Sequence, residues 1–142
     1  MKKIDPKALK NLEVENTAVR KHLGEKVLAL DYGEKFCGLA WSPDGVVVLP
    51  VGVFSLNEIL GEIIKVLNEK QIDLVIVGLP VSSDGSENEV CGMIRKFVEK
   101  LEPVAKVELV NERFSSQRVL SSDKDRIDDL AAARILEYYL AG

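Results

Sequence analysis

Residues 27–42 read VLALDYGEKFCGLAWS, and the order of their parts sets the architecture around them. Val27-Leu28-Ala29-Leu30 is a short continuous apolar run, as expected of a central strand buried on both faces. It stops at Asp31. Tyr32-Gly33-Glu34 supplies a turn, and Phe36–Ser42 returns as a second strand. Pro43-Asp44-Gly45 is a further turn signal, and a third apolar run, VVVLPVGVF, follows over 46–54. Pro50 lacks the N–H a sheet ladder needs, which puts the end of this strand at an edge or a bend. With such short connections the three strands form an antiparallel meander.

The pattern then changes to helix and strand in alternation. Ser55 stands as N-cap before Ile59, Leu60, Ile63, Ile64 and Leu67, which recur at helical spacing. IDLVIVGLP (72–80) is a buried strand, and SSDGSENE (82–89) is a polar loop. Ser86 and Glu89 match a capping box, with Val90, Ile94, Phe97, Val98 and Leu101 on one helix face. Pro103 stops that helix, and VAKVELV (104–110) is another strand. The last helix carries Leu130, Ala131, Ile135, Leu136, Tyr139 and Leu140. The order βββαβαβα implies an α/β fold with a mixed five-stranded sheet, three strands antiparallel and the later ones parallel through right-handed crossovers.

Upstream of this core, Asp5-Pro6 reads as an N-cap and first helical position, followed by Leu9, Leu12, Val19 and Leu23, with Gly24 as the stop. Residues 1–25 are therefore expected to be a helical extension on a domain spanning 26–142. Residues 1–26 hold seven Lys/Arg and four Asp/Glu, net +3, so the remainder carries −7 of the overall −4. A solvated helix accounts for that basic segment better than an arm on a phosphate backbone.

Composition bounds the chemistry. The chain has 142 residues, 46% hydrophobic and 30% charged, as in an ordinary single globular domain. No apolar stretch approaches the ~20 residues of a membrane span, and the N-terminus lacks the apolar core of a signal peptide. The expected location is the cytoplasm, with no membrane partner. Cys37 and Cys91 suggest neither a disulfide framework nor a zinc site. The single histidine, His22, excludes a His-rich metal site and reads as a solvated surface residue. The net negative charge argues against strong non-specific nucleic-acid binding, but acids neutralised by a bound cation escape that argument.

Three carboxylates stand in distinct settings. Asp31 ends the central strand, where a charge is costly unless a cation or hydrogen-bond donors compensate; an aspartate capping the turn explains the local sequence equally well. Glu112 follows VELVN, and by itself it reads as a surface glutamate paired with Arg113 or Arg118. Asp128 opens the last helix with Asp125 and Asp129, where the helix dipole favours acids. If VELV runs parallel to VLAL, however, Asp31 and Glu112 emerge at the same sheet edge, beyond the carboxyl ends of the strands where open α/β sheets bind ligands. Three acids converging there suit Mg²⁺ or Mn²⁺ ions clamping a scissile phosphate, hence metal-dependent phosphodiester hydrolysis. Lys35, Arg113 and Arg118 are the candidate phosphate partners.

Four blocks, LALDYGEKFCGLAWS, IVGLPVSSDGSENE, NERFSS and RIDDLAAARILEYYL, resemble in order and spacing the YqgF-type family. These are bacterial relatives of Holliday junction resolvases with a ribonuclease H-like fold, also described as candidate nucleases of the 5′ end of pre-16S ribosomal RNA. The resemblance covers about Lys26 to Gly142. It implies a ribonuclease H-like fold, a nucleic-acid partner (pre-rRNA in preference to branched DNA), and catalytic, metal-binding acids at Asp31, Glu112 and Asp128. Asp128 is preferred to Asp129 by the Ile-Asp-x-x-Ala-Ala pattern. Ser115 and Ser116 stand where the family has a Thr-rich pair, and join Lys35, Arg113 and Arg118 as expected nucleic-acid contacts. The chain departs from the family at Glu34, usually Thr, at Asn111, usually Asp, and in a shorter segment between Glu112 and Asp128.

Two other readings compete. D-x-G-x-K-x-x-G-x-A, here Asp31 to Ala40, also resembles the phosphate-binding hairpin of actin-like ATPases, though those proteins close two such domains around ATP. A non-catalytic binding module on the same scaffold would show no metal dependence. Junction resolution would call for a symmetric dimer; no dimerisation surface is evident in the sequence, which fits a monomer or weak dimer.

Overall fold

The computed structural model describes residues 21–112 and 124–142, the last helix with its side chains from residue 130 onward. Of the helix expected from Asp5 to Leu23, residues 5–20 lie outside the described residues, and residues 21–24 form a turn instead of helix. Five strands form one sheet: β1 (Val27–Asp31), β2 (Phe36–Ser42), β3 (Leu49–Ser55), β4 (Leu74–Leu79) and β5 (Val107–Asn111). Helices α1 (Leu56–Lys70), α2 (Glu89–Leu101) and α3 (Lys124–Leu140) follow β3, β4 and β5. The strand order is β3-β2-β1-β4-β5. β1 pairs antiparallel with β2 and parallel with β4, and β4 pairs parallel with β5. The fold is thus the mixed α/β sheet that the sequence implies, with the apolar β1 at its centre.

Side-chain alternation divides the core into two layers. Leu28 and Leu30 of β1 join Val75, Val77 and Leu79 of β4 beneath α1 and α2. Val27 and Ala29 face the opposite way, with Ile76 and Val110, against Ala132, Ile135 and Leu136 of α3. Val27 through Leu30 are fully buried, each of the Val and Leu side chains adding ~1.5–3 kcal/mol of transfer free energy.

Several local expectations are corrected. β3 begins at Leu49 rather than Val46; Val46 and Val47 are exposed, their N–H groups bonded to Asp44 Oδ1 at 2.9 Å. Ser55 does sit at the N-cap of α1, but its hydroxyl donates to Glu58 Oε1 at 2.7 Å instead of capping a backbone amide. The capping box of Ser86 and Glu89 does not form. Asn88 is the N-cap of α2, its Oδ1 accepting from the Cys91 N–H at 3.1 Å. Leu130, counted among the apolar positions of the last helix, is 36% exposed. His22 is not a surface residue: it is 7% exposed, its Nδ1 lies 2.8 Å from Glu25 Oε2, and its ring packs on Tyr139 with centroids 4.6 Å apart.

Candidate active site

The parallel trio β1, β4 and β5 ends at one sheet edge, and both acids of these strands arrive there. Asp31 is the last residue of β1, opposite Gly38 of β2. Glu112 follows β5 directly. By alternation Asp31 continues the face of Val27 and Ala29, and Glu112 that of Val110, so both lie on the α3 side.

The two carboxyl groups hydrogen-bond one another, an arrangement that requires a shared proton when no cation lies between them. Glu112 is only 9% exposed. Burial pushes its carboxyl above the ordinary glutamate range, and the hydrogen bond with Asp31 partly opposes that rise.

Gly78 of β4 makes this approach possible. It lies between the two acid-bearing strands, paired with Val110 of β5. A Cβ at Gly78 would come within 2.9 Å of Glu112 Oε2 and 2.6 Å of Ile135 Cδ1. A side chain there would have to displace Glu112 or Ile135, so the bare backbone lets Glu112 fold back over the sheet while α3 closes on it. By sequence Gly78 marks only a strand end; a lone glycine interrupting LVIVGL is the available signal of a close approach.

The third predicted acid is placed by backbone alone. Residue 128 is helical in α3, two turns before Ile135 and on the same helix face by the 3.6-residue period. The far end of α3 meets the opposite sheet edge, where Tyr139 packs on His22. The helix therefore runs back toward the edge that holds Asp31 and Glu112. The side chain of Asp128 lies outside the described residues, as do Arg113, Ser115, Ser116 and Arg118. Among the described residues no group of three His, Cys, Asp or Glu side chains comes together. Lys35 is exposed, in the turn just after Asp31, its carbonyl accepting from the Leu56 N–H at 2.9 Å.

The donor set fits a hard divalent cation. Asp31 and Glu112 present carboxylate oxygens and no sulfur or imidazole, which is the ligand preference of Mg²⁺ and Mn²⁺. Two hydrogen-bonded carboxyls also form a site where a cation can replace a proton at little structural cost.

Sheet order and two-sided core define a ribonuclease H-like fold, with two carboxyl groups meeting at the carboxyl edge of its parallel strands. Two solved structures of RuvC from Thermus thermophilus share the fold. One is in complex with a Holliday junction substrate (TM-score 0.51, 14% identity, covering 81% of this chain and 94% of that one). The other has a TM-score of 0.50 at 13% identity, covering 80% and 94%. The chain belongs to the RuvX family, described as Holliday junction resolvases, which it matches over residues 25–142. A relative from Chlorobium phaeobacteroides, provisionally named pre-16S rRNA nuclease, is 35% identical over 132 residues, covering 82% of this chain and 92% of that protein. One from Anaplasma marginale with the same provisional name is 34% identical over 131 residues, covering 81% and 83%. The chain is accordingly a nuclease, a hydrolase of nucleic-acid phosphodiesters.

Proposed function

We propose that this nuclease trims the 5′ end of pre-16S ribosomal RNA in the cytoplasm, using a divalent-cation site built by Asp31, Glu112 and Asp128. The observation that carries the site is the buried Glu112, hydrogen-bonded to Asp31 and seated over Gly78. The names of the family relatives support the choice of RNA. The family match beginning at residue 25 supports residues 26–142 as the nuclease domain, with 1–25 as an extension.

A divalent cation held at this site would acidify an attacking water and neutralise charge building on the leaving oxygen. The residues of the chain do the rest. Asp31 fixes the site to the central strand of the sheet. Glu112, closed in between Gly78 and α3, presents its oxygens with little freedom to reorient. Asp128 completes the ligand set from α3. Lys35, and with it Arg113, Ser115, Ser116 and Arg118, holds the flanking phosphates.

The test is cleavage of a labelled pre-16S 5′ fragment, single-stranded DNA and a four-way junction, each with Mg²⁺, Mn²⁺ or EDTA. Wild type is compared with Asp31→Asn, Glu112→Gln and Asp128→Asn. Cation-dependent cutting of the RNA, lost in all three variants, is the expected result. Preferential cutting of the junction would replace RNA with branched DNA as substrate, and cutting that survives the substitutions would overturn the site.

A further inference from the structure

On the opposite face of the sheet, one residue past Asp31, we infer that the pocket between the start of α1 and the middle of α2 binds the single-stranded segment of the substrate that adjoins the scissile phosphate. This rests on the nuclease reading above and extends it to a second surface.

The pocket has a volume of about 470 Å³, within the range of sites that enclose a ligand. Tyr32, Leu56, Leu60 and Met93 give it an apolar lining, and Lys96 and Lys100 stand on its rim. The remaining lining residues are Asn57 and Phe97, so no carboxylate among the described residues faces it. Met93 is 38% exposed, an apolar group left open to solvent beside two cations. Lys96 and Lys100 are exposed, one helical turn apart, and have no ion-pair partner among the described residues. Such an apolar floor with unpaired lysines at its rim matches a nucleobase beside its phosphates, the usual composition of a single-strand groove.

Position relative to the acids decides the occupant. Asp31 faces α3, and Tyr32, the next residue, faces α1 and α2, where its ring packs on Phe97 with centroids 5.4 Å apart. A strand crossing the carboxyl edge of the sheet from the acid pair therefore enters this pocket. Lys35 stands on that path, because the Leu56 N–H holds its carbonyl at the first residue of α1. Lys35 in the turn after Asp31 and Lys96 and Lys100 at the pocket thus supply charge complementary to a phosphodiester backbone. A protein of net charge −4 gains most from concentrating its cations along such a path.

The experiment measures binding of a fluorescent single-stranded RNA to the full chain by anisotropy, in EDTA, over a range of salt concentrations. Lys96→Glu/Lys100→Glu is compared with wild type and with Lys65→Glu/Lys106→Glu, which carries the same charge change at exposed positions away from the pocket. The pocket variant is expected to lose about tenfold or more in affinity, and its slope of log affinity against log salt to fall by about 1.4 (about 0.7 per lost phosphate contact). The control is expected to lose far less. A 4-thiouridine placed beside the cleavage site is expected to photo-crosslink to the peptide containing Met93. If wild type binds and cuts RNA while both double variants weaken it equally, and no crosslink reaches α2, the pocket is refuted and the nuclease reading stands. If wild type neither binds nor cuts any nucleic acid, both fall.

Discussion

On the proposed reading, the chemistry of this molecule concentrates on a side chain that is costly to keep and a position that has none. Glu112 is buried beside Asp31, and burial raises its carboxyl from its ordinary 4.5. The raised value means that the folded protein holds this proton more tightly than the unfolded chain. That contribution is complete at pH below the unfolded value and is lost as pH climbs through the folded value. Glu112→Gln keeps the shape without the charge. The metal-free variant is expected to be more stable than wild type by ~1 kcal/mol at neutral pH, the advantage vanishing in acid, while cleavage is abolished. Thermal melts in EDTA across pH, beside cleavage assays, check both halves; a variant less stable than wild type at pH 7 would contradict the buried-charge argument. Gly78 carries the complementary prediction. Gly78→Ala places a methyl 2.9 Å from Glu112 Oε2 and 2.6 Å from Ile135 Cδ1. A stability loss of ~1–3 kcal/mol is expected from overpacking, and because the displaced group positions the site, a fall in kcat of about 10²-fold. Activity measured on the folded fraction separates the two effects. Asp31 and Glu112 are legible in the sequence because each ends its own strand. Gly78 is not, because what forbids its side chain comes from β5 and α3, both distant in sequence.

At the scale of elements, hydrophobic period reads better than caps do. All five strands and the helices after β3, β4 and β5 form where continuous apolar runs or the 3.6-residue period predict them, apart from the later start of β3, since burying those apolar side chains is the strongest driving force each segment has. Pro50, expected at an edge or a bend, meets both conditions. β3 is an edge strand, and its register shifts where Leu39 pairs with Gly52 and Ala40 with Pro50, leaving Val51 as the bulged residue. Caps are harder to read because several polar residues compete for one helix end. In the loop before α2, the Ser86 N–H is taken by Asp84 Oδ1 at 2.9 Å, and Glu87 pairs with Arg95. Only Asn88 remains placed to receive the Cys91 N–H. Asn88→Ala should therefore cost ~1 kcal/mol, whereas Glu89→Ala should cost much less than a capping-box partner would. Chemical denaturation of the two variants, with unchanged m-values, measures the difference. His22 misleads for a similar reason. Its charged neighbours suggest solvent, but the ring fills the space over Tyr139, whose hydroxyl donates to Glu108 Oε2 at 3.0 Å. Burial and that carboxylate push the tyrosine up to about 12, so it stays neutral through the physiological range.

Across the whole molecule, one sheet separates two tasks. The α3 face carries the acid pair, and the α1/α2 face the larger apolar layer with the lysine-rimmed pocket. On the proposed reading this division lets an acidic protein act on a polyanion: cations line the approach, and a bound cation offsets the acids at the reacting edge. Folding and metal binding should then be linked. In the metal-free protein the Asp31 and Glu112 carboxyls meet as a hydrogen-bonded pair, and the unfolded chain has no equivalent pair to offer an ion. Mg²⁺ or Mn²⁺ at 100 times its dissociation constant should raise the unfolding free energy by about 2.7 kcal/mol. For a domain of this size that is a rise of several degrees in melting temperature. Asp31→Asn and Glu112→Gln should each remove most of this rise. Ca²⁺, which also prefers oxygen ligands, should stabilise the fold without necessarily supporting cleavage. Binding competes with the shared proton, so stabilisation at fixed ion concentration should weaken as pH falls through the raised value of Glu112. Differential scanning fluorimetry over ion concentration and pH tests each step. Equal stabilisation of wild type and both variants would place the ion elsewhere and leave the buried acid pair unexplained by metal.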